Sequence, residues 1–279
     1  MYKSILAAVD EFTNSAIAAR YAMALAKSCQ AELSLVYVAE DKITNDLFSQ
    51  AEASLERLFM EAKKQNIKVG SLTERGNPLK QINDLVKKNN VDIVFTATGR
   101  EDIEKKFFLM TMAREFMLKL PCSVAMVRAV QMGRVHPRKI LLPLRADTTN
   151  IEEQACLAAK LAEAFEAAVT VFHSTSPTTS VFRRGRQPTT AQRGELISEN
   201  IEKFMECLNR YEIIHEKRTS HGSFARAVTI EAAHRRNDLI VMGASERSIL
   251  KSIISGNPVE DVLRETPCNL IILRPKKIK

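Results

Sequence analysis

The chain has 279 residues, 45% of them hydrophobic and 27% charged, with a formal net charge of +8 and no tryptophan. This length suits about two domains, and the balance is typical of a globular chain and excludes wholesale disorder. No apolar run approaches the ~18 residues of a membrane span, and the N-terminal segment lacks the apolar stretch of a signal peptide, so we expect a cytoplasmic protein.

The first half alternates strand-like and helix-like segments. Short apolar runs predict five strands, at Ser4–Val9, 33–38, 68–73, 93–97 and 124–127. Apolar stripes spaced by three or four residues predict the first two helices, formed by Ala18, Ala22, Leu25 and Ala26, and by Phe48, Ala51, Leu55, Leu58 and Phe59. Nearly continuous apolar runs indicate a parallel sheet covered on both faces, whereas 68–73 alternates and suits an edge strand. The pattern predicts a doubly wound α/β domain with right-handed crossovers.

A break at residues 130–138, marked by Gly133 and Pro137, separates this unit from a second copy of it. Residues 5–10 correspond to 140–145, and residues 31–37 correspond to 167–173. We therefore predict two tandem five-stranded parallel-sheet domains, at 1–130 and 138–279. Each is expected to build its own sheet and not to share a single continuous one.

The second copy carries about ten extra residues, which we expect in a loop near 174–194 because that segment is rich in Ser, Thr, Pro, Gly and Arg. It holds Arg183, Arg184, Arg186 and Arg193. Such a run is typical of a solvated loop, and the alternative is a patch for nucleic acid or an acidic partner.

In an open parallel sheet, ligands bind at the carboxyl ends of the strands. In the second copy the fourth strand ends at Gly243, and Gly256-Asn257-Pro258-Val259 looks like a helix start, with Asn257 as N-cap and Pro258 at the first helical position. Bare amides at a helix start, with Arg247 nearby, would form an anion site. The alternative is a simple helix cap.

These pieces, in this order, resemble the universal stress protein family. The resemblance rests on Val9-Asp10, Gly76-Asn77-Pro78, Asp238 to Gly243, Gly256-Asn257 and the Pro-Cys pairs before each final strand. It covers essentially the whole chain and implies an adenine nucleotide alpha hydrolase-like fold. It also implies pairing of the final strands, Ser123–Arg128 with Asn269–Arg274, which would make an internal pseudo-dimer.

The resemblance also implies where a nucleotide would bind. The family's nucleotide-binding members hold phosphates and ribose with Gly-x2-Gly-x9-Gly-Ser/Thr, and the adenine with the first-strand Asp and the end of the second strand. In domain 2 the corresponding residues are Pro143, Leu144, Arg145, His173, Gly243, Ser245, Arg247, Gly256, Asn257, Pro258 and Val259. In domain 1 a remnant remains, consisting of Val9, Asp10 and Val38.

Both copies depart from the family pattern. In domain 2, Glu246 replaces the middle glycine, Asn257 replaces Ser/Thr, Arg145 replaces the first-strand Asp, and Phe224 stands where the family has proline. In domain 1, Ala97, Arg100 and Met110 occupy the three glycine positions. Side chains there would obstruct the approach of backbone to phosphate. We therefore expect no ATP in domain 1, and ATP, another adenine nucleotide or another anion in domain 2.

Other chemistry-bearing residues have no recognisable catalytic or metal-binding spacing. The five cysteines, Cys29, Cys122, Cys156, Cys207 and Cys268, form no CxxC and are expected as reduced core thiols. The histidines show no metal spacing. An apolar cluster in domain 1 is interpreted as a helix packed into its own core, or else as a plugged pocket or partner surface; it comprises Phe107, Phe108, Met110, Met112, Phe116 and Met117.

Three functions remain open. The first is a non-enzymatic stress-response or regulatory protein, with a protein partner or self-association, possible as a homodimer of tandems. The second is a slow ATPase or self-phosphorylating protein, which the lost glycines disfavour. The third is a nucleic-acid binder that uses the arginine loop, whose affinity would fall steeply with salt.

Overall fold

The computed structural model describes residues 2–98, 111–145, 150–175, 190–244 and 258–276. In the first domain the strands are β1 Ser4–Val9, β2 Glu32–Ala39, β3 Val69–Arg75, β4 Ile93–Thr98 and β5 Ser123–Arg128. Its described helices are α1 Thr13–Cys29, α2 Asn45–Lys64, α3 Pro78–Lys88 and α4 Met112–Lys119.

The second domain repeats the same order of elements. Its strands are β6 Lys139–Leu144, β7 Ala168–Thr175, β8 His215–His221, β9 Leu239–Gly243 and β10 Asn269–Arg274. Its described helices are α5 Ile151–Phe165, α6 Thr190–Arg210, α7 Phe224–His234 and α8 Pro258–Glu265. The tandem α/β architecture predicted from the sequence is confirmed, whereas the domain boundaries at 130 and 138 stay a prediction.

The strands of both domains form a ten-stranded sheet in the order β3-β2-β1-β4-β5-β10-β9-β6-β7-β8. Within each half the neighbouring strands are parallel, and the halves meet where β5 and β10 pair antiparallel, from Leu270 opposite Arg128 to Arg274 opposite Val124. The expected pairing of the final strands is therefore confirmed. The expectation of two sheets with no continuity was wrong, because that same pairing carries the hydrogen-bond ladder from one domain into the other.

The third strand illustrates how neighbours decide strand bounds. The alternating run predicted a strand over 68–73, but β3 extends to Arg75, because β2 supplies ladder partners as far as Ala39 opposite Arg75. Gly76 then turns the chain with a φ of 115°, a value that favours glycine. The predicted edge position of this strand is confirmed by the strand order.

Two apolar layers cover the sheet. One layer contains buried side chains of α1, α2, α5 and α6, including the predicted stripe residues of α1, and α1 packs against α5 across the domain boundary. The other layer contains those of α3, α4, α7 and α8. Alternate residues of β1 face opposite layers, since Ile5 and Ala7 belong to the first and Leu6 to the second. This is the burial on both faces that the continuous apolar runs predicted.

Two buried side chains of β10 tie the domains together. Asn269 accepts hydrogen bonds at Oδ1 from the backbone N–H groups of Val130 and Gln131, both at 2.9 Å, and its Nδ2 donates to the Tyr21 hydroxyl at 3.0 Å. Arg274, only 2% exposed, donates from Nε to the carbonyl oxygen of Met117 at 2.7 Å.

The same guanidinium donates from Nη2 to the carbonyl oxygen of Leu120 at 2.9 Å. Arg274 thus satisfies backbone acceptors at the C-terminal end of α4, where an α-helix has no partners of its own. A side chain of the second domain therefore caps a helix of the first.

The structure also bears on the expected loop, the cysteines and the membrane-spanning potential of the helices. Of the segment 174–194, expected as a loop, residues 174 and 175 belong instead to β7 and residues 190–194 to α6. Residues 176–189, with Arg183, Arg184 and Arg186, lie outside the described residues. All five cysteines are unpaired thiols, four of them buried and Cys29 half-buried. Among the described helices, none has the length and apolarity that a membrane crossing requires.

Candidate functional site

A cavity of about 410 Å³ opens at the carboxyl ends of β1, β2 and β4 in the first domain. This volume lies within the range of small-molecule sites, roughly 300–1,000 Å³. Its wall includes all three residues of the predicted remnant, Val9, Asp10 and Val38, so the structure brings them together. The cavity thus lies at the edge where parallel α/β sheets bind ligands.

Asp10 is held by the turn that leads from β1 into α1. Its Oδ1 accepts a hydrogen bond from the backbone N–H of Phe12 at 2.9 Å, and its own N–H donates to the Ser15 hydroxyl at 3.0 Å. The carboxyl is half-buried, and this burial raises its pKa above the ordinary value in spite of these hydrogen bonds. No ion pair links Asp10 or its neighbour Glu11 to any of the described residues.

Tyr37, at the end of β2, contributes to the same wall and was missed by the sequence analysis. It is 2% exposed, its ring packs against Phe48 with centroids 5.9 Å apart, and its hydroxyl has no hydrogen-bond partner among the described residues. Burial is the main cause that raises the pKa of this hydroxyl, and the nearby carboxylates of Glu11 and Asp10 add to it. An unpartnered buried hydroxyl is costly and calls for an explanation.

Another part of the cavity lining is mostly apolar. The starts of α3 and α4 and the end of β4 contribute Pro78, Ile82, Thr96, Ala97, Met112 and Phe116. Ala97 is the described member of the three residues that replace the family's glycines; Arg100 and Met110 lie outside the described residues.

The apolar cluster expected in this region divides between core and cavity. Phe116 and Met117 are buried in the core, and Phe116 and the half-buried Met112 also line the cavity without filling it. Phe107, Phe108 and Met110 lie outside the described residues. The interpretation of a helix packed into its own core therefore accounts for the described members of the cluster.

In the second domain the structure describes part of the predicted site. Pro143 and Leu144 lie at the end of β6, Arg145 directly follows that strand, His173 lies near the end of β7, Gly243 ends β9, and Pro258 and Val259 begin α8. Ser245, Arg247, Gly256 and Asn257 lie outside the described residues. In the strand register Leu144 stands opposite His173, just as Val9 stands opposite Tyr37 in the first domain. His173 is therefore the counterpart of Tyr37.

His173 presents a defined hydrogen-bonding face. Its Nδ1 lies 3.2 Å from the carbonyl oxygen of Leu144, so in the neutral ring Nδ1 carries the hydrogen and Nε2 is an acceptor. The side chain is 5% exposed, and Nε2 has no partner among the described residues. Burial is the main cause that lowers the pKa of the imidazole, while the Leu144 carbonyl opposes it.

Two departures from the family pattern contact each other. The guanidinium carbon of Arg145 lies 5.5 Å from the ring centroid of Phe224, the residue that begins α7 where the family has proline. An arginine over an aromatic face is held by a cation–π attraction. The sequence shows each substitution separately, and the structure shows that they occur as a pair.

Gly243 has a packing role that the motif did not reveal. A Cβ added at this position would stand 2.8 Å from Oε1 of Gln154, a residue of α5 that is 1% exposed. Neither amide atom of Gln154 has a hydrogen-bond partner among the described residues. Gln154 was also missed; the available signal was a long polar residue in an otherwise apolar helix stripe, at the place where the first copy has Ala19.

Comparison with known proteins identifies the sequence pattern and the architecture. The profile described as "Universal stress protein family" matches residues 1–128 and again 137–274. A universal stress protein from Archaeoglobus fulgidus superimposes with a TM-score of 0.67 at 14% identity, over 98% of this chain and 97% of its own.

A putative universal stress protein from Pseudomonas aeruginosa superimposes with a TM-score of 0.63 at 17% identity, over 99% of this chain and 94% of its own. The cytoplasmic domain of a prokaryotic cation chloride cotransporter also superimposes, with a TM-score of 0.55 at 14% identity, over 98% and 95% of the two chains. No curated protein matches the chain. At such low sequence identities, the structural likeness shows a shared fold, and function has to be argued from the residues of the site.

Proposed function

The chain belongs to the universal stress protein family, and from that membership we propose that it is a non-enzymatic stress-response or regulatory protein of the cytoplasm. In this proposal the second domain holds a degenerate nucleotide site and the first domain binds no ATP. The observation that carries it is the opposite chemistry of the two ligand edges, in which Asp10 of one domain is replaced by Arg145 in the other.

The first domain's edge disfavours a triphosphate for two reasons. Ala97 places a methyl group on the cavity wall where the family has its first glycine, so the backbone there is less accessible to a phosphate. The carboxylates of Asp10, Glu11 and Glu40 line the same cavity and would repel a phosphate chain. Both features support the expectation that this domain does not bind ATP.

The second domain's edge suits an adenine nucleotide or another anion better. Arg145 supplies positive charge at the end of β6. The unpartnered Nε2 of His173 can accept a hydrogen bond from an amino group, and adenine has one. ATP or a related nucleotide is therefore the cofactor proposed for this domain.

The pairing of β5 with β10 supports a further part of the proposal, concerning partners. Because the final strands of the two domains already pair with each other, one chain by itself forms the pseudo-dimer. Self-association would then occur between whole tandem units, giving a homodimer of tandems, and regulation would act through a protein partner. Light scattering tests this: a monomer or a discrete dimer supports it, and only heterogeneous larger assemblies contradict it.

Calorimetric titration of the full chain with ATP and Mg²⁺ tests the nucleotide site. We expect saturable binding that His173→Phe weakens roughly fivefold, the value of one hydrogen bond of about 1 kcal/mol. The matched variant Tyr37→Phe in the first domain should leave ATP affinity unchanged. Absence of binding at millimolar ATP, or equal effects of both variants, would contradict the assignment.

The same samples test the absence of catalysis. Phosphate release and mass spectrometry of the chain should show neither ATP turnover above the protein-free rate nor a phosphorylated residue. Turnover that His173→Phe abolishes would instead support the slow ATPase considered from the sequence.

A further inference from the structure

The cavity of the first domain carries an excess of negative charge. Asp10, Glu11 and Glu40 line it, whereas its described lining contributes a single cation, Lys42. Asp10 and Glu11 are half-buried and form no ion pair with a described residue. Unpaired carboxylates at a partly dehydrated surface are stabilised by an incoming cation more strongly than in water, because the effective dielectric constant is lower.

A second, independent feature of the same wall points to a ligand. Tyr37 is only 2% exposed, yet its hydroxyl has no hydrogen-bond partner among the described residues. Tyr37 stands opposite Val9 in the strand register, directly before Asp10 and Glu11, and all four residues line the cavity, so the phenol and the carboxylates belong to one end of it. That end therefore holds both negative charge and an unused hydroxyl.

The rest of the cavity offers an apolar surface. Ile82, Ala97, Met112 and Phe116 line it, and a volume of about 410 Å³ accommodates a body of one or two fused rings. The combination of an acidic end and an apolar body distinguishes this site from a phosphate cradle, which requires bare amides and positive charge.

We infer that the first domain binds a small molecule with a protonated amine and an apolar or aromatic body. The amine lies toward Asp10 and Glu11, and the apolar body lies against Ile82 and Phe116. This inference goes beyond the proposed nucleotide function and does not depend on it, because it concerns the other domain and a ligand of opposite charge.

A charge series on one apolar body tests the ligand class. The full chain is titrated by calorimetry with tryptamine, which is cationic, with tryptophol, which is neutral, and with indole-3-acetate, which is anionic. We expect tryptamine to bind about tenfold more tightly than tryptophol, as one partly buried charge pair provides, and indole-3-acetate to bind most weakly. Equal affinities, a reversed order or no saturable binding of tryptamine would overturn the inference.

Variants then locate the amine. Asp10→Asn keeps the Oδ1 acceptor for the Phe12 N–H but removes the charge, and should lower tryptamine affinity about fivefold to tenfold without changing tryptophol affinity. The matched control is Glu56→Gln, an exposed residue of α2 that does not line the cavity, and it should change neither affinity. Equal effects of the two variants on tryptamine would overturn the inference.

A third variant tests the cavity without altering charge. Ala97→Leu places a larger apolar side chain in the wall and should weaken the binding of tryptamine and of tryptophol alike. We expect each affinity to fall about tenfold or more, because the ligand's apolar body loses contact surface in the narrowed cavity. Its far-ultraviolet circular dichroism and thermal midpoint are recorded alongside, so that loss of binding is separated from loss of fold. A folded Ala97→Leu variant with unchanged affinities would also overturn the inference.

The affinity of the second domain for ATP should be the same in all these variants. Failure of the amine-binding inference is therefore distinct from failure of the proposed nucleotide function.

Discussion

The two ligand edges of this molecule occupy the same place in two copies of one fold and yet have opposite chemistry. The first presents Asp10 and the Tyr37 hydroxyl around an open cavity, and the second presents Arg145, which contacts Phe224, and the His173 imidazole. The strand registers are the same, with Val9 opposite Tyr37 and Leu144 opposite His173. A duplicated scaffold therefore keeps its backbone geometry while the side chains at its ligand edges diverge.

The largest expected effect comes from separating the two copies. Arg274→Met removes both hydrogen bonds that cap α4 from the second domain and leaves the carbonyl groups of Met117 and Leu120 without these donors. We expect a loss of about 3 kcal/mol in the free energy of unfolding, since a charged donor contributes roughly 1.5–3 kcal/mol per hydrogen bond. Urea denaturation followed by circular dichroism measures it.

The control for that variant is Arg264→Met, on the exposed face of α8, where the arginine forms a surface ion pair with Glu260 at 3.3 Å. It should cost less than about 0.5 kcal/mol. A similar cost for the two variants would show that the cross-domain cap contributes no more to stability than an exposed ion pair.

A smaller effect is expected from making the two edges alike at the end of the fourth strand. The second domain has Gly243 beside Gln154, where the sequence repeat places Ala97 and Ala19 in the first domain. Gly243→Ala brings a methyl group within 2.8 Å of the Gln154 amide oxygen, and because that atom is the end of a flexible side chain that can shift, the substitution should cost less than about 1 kcal/mol.

The double variant Gly243→Ala/Gln154→Ala reproduces the pair of the first domain and measures whether the two positions are coupled. Its loss of stability should be smaller than the sum of the two single losses, as denaturation of all four proteins in a double-mutant cycle will show. Strict additivity would mean that Gly243 is not constrained by Gln154.

The subtlest contrast lies in the pH dependence of stability. The pKa of His173 is lowered on folding, so its contribution is fully present above the unfolded value of ~6.5 and is lost as pH falls through the lower folded value. The pKa of Tyr37 is raised on folding, so its contribution is present below the unfolded value of ~10 and is lost as pH rises through the higher folded value.

Chemical denaturation at several pH values separates the two residues. His173→Gln should flatten the acid side of the stability profile and leave the alkaline side unchanged, whereas Tyr37→Phe should do the reverse. If either variant changed both sides equally, its effect would reflect general destabilisation and not titration of the substituted side chain.

Most of the fold could be predicted from local patterns. The apolar stripe through Ala18, Ala22 and Leu25 is set by helix periodicity, and all three are buried in α1. Asn77-Pro78 has the same N-cap and proline arrangement that predicted a helix start at Asn257-Pro258, and Asn77 Oδ1 accepts from the backbone N–H of Lys80 at 3.0 Å. The end of β3 at Arg75 was not predictable in this way, because the ladder partner that extends it belongs to another strand.

The sequence by itself determined the duplication, the order of the elements and the ends of the strands at which ligand residues gather, because these follow from periodicity and turn residues over short stretches. Only the tertiary structure decided that one continuous sheet forms, that Arg145 contacts Phe224, and that Arg274 caps a helix of the other domain. It also decided that buried polar atoms of Tyr37 and His173 have no partner within the described part of the chain. These contacts join residues that are distant along the chain, and packing and hydrogen-bond geometry set them in three dimensions.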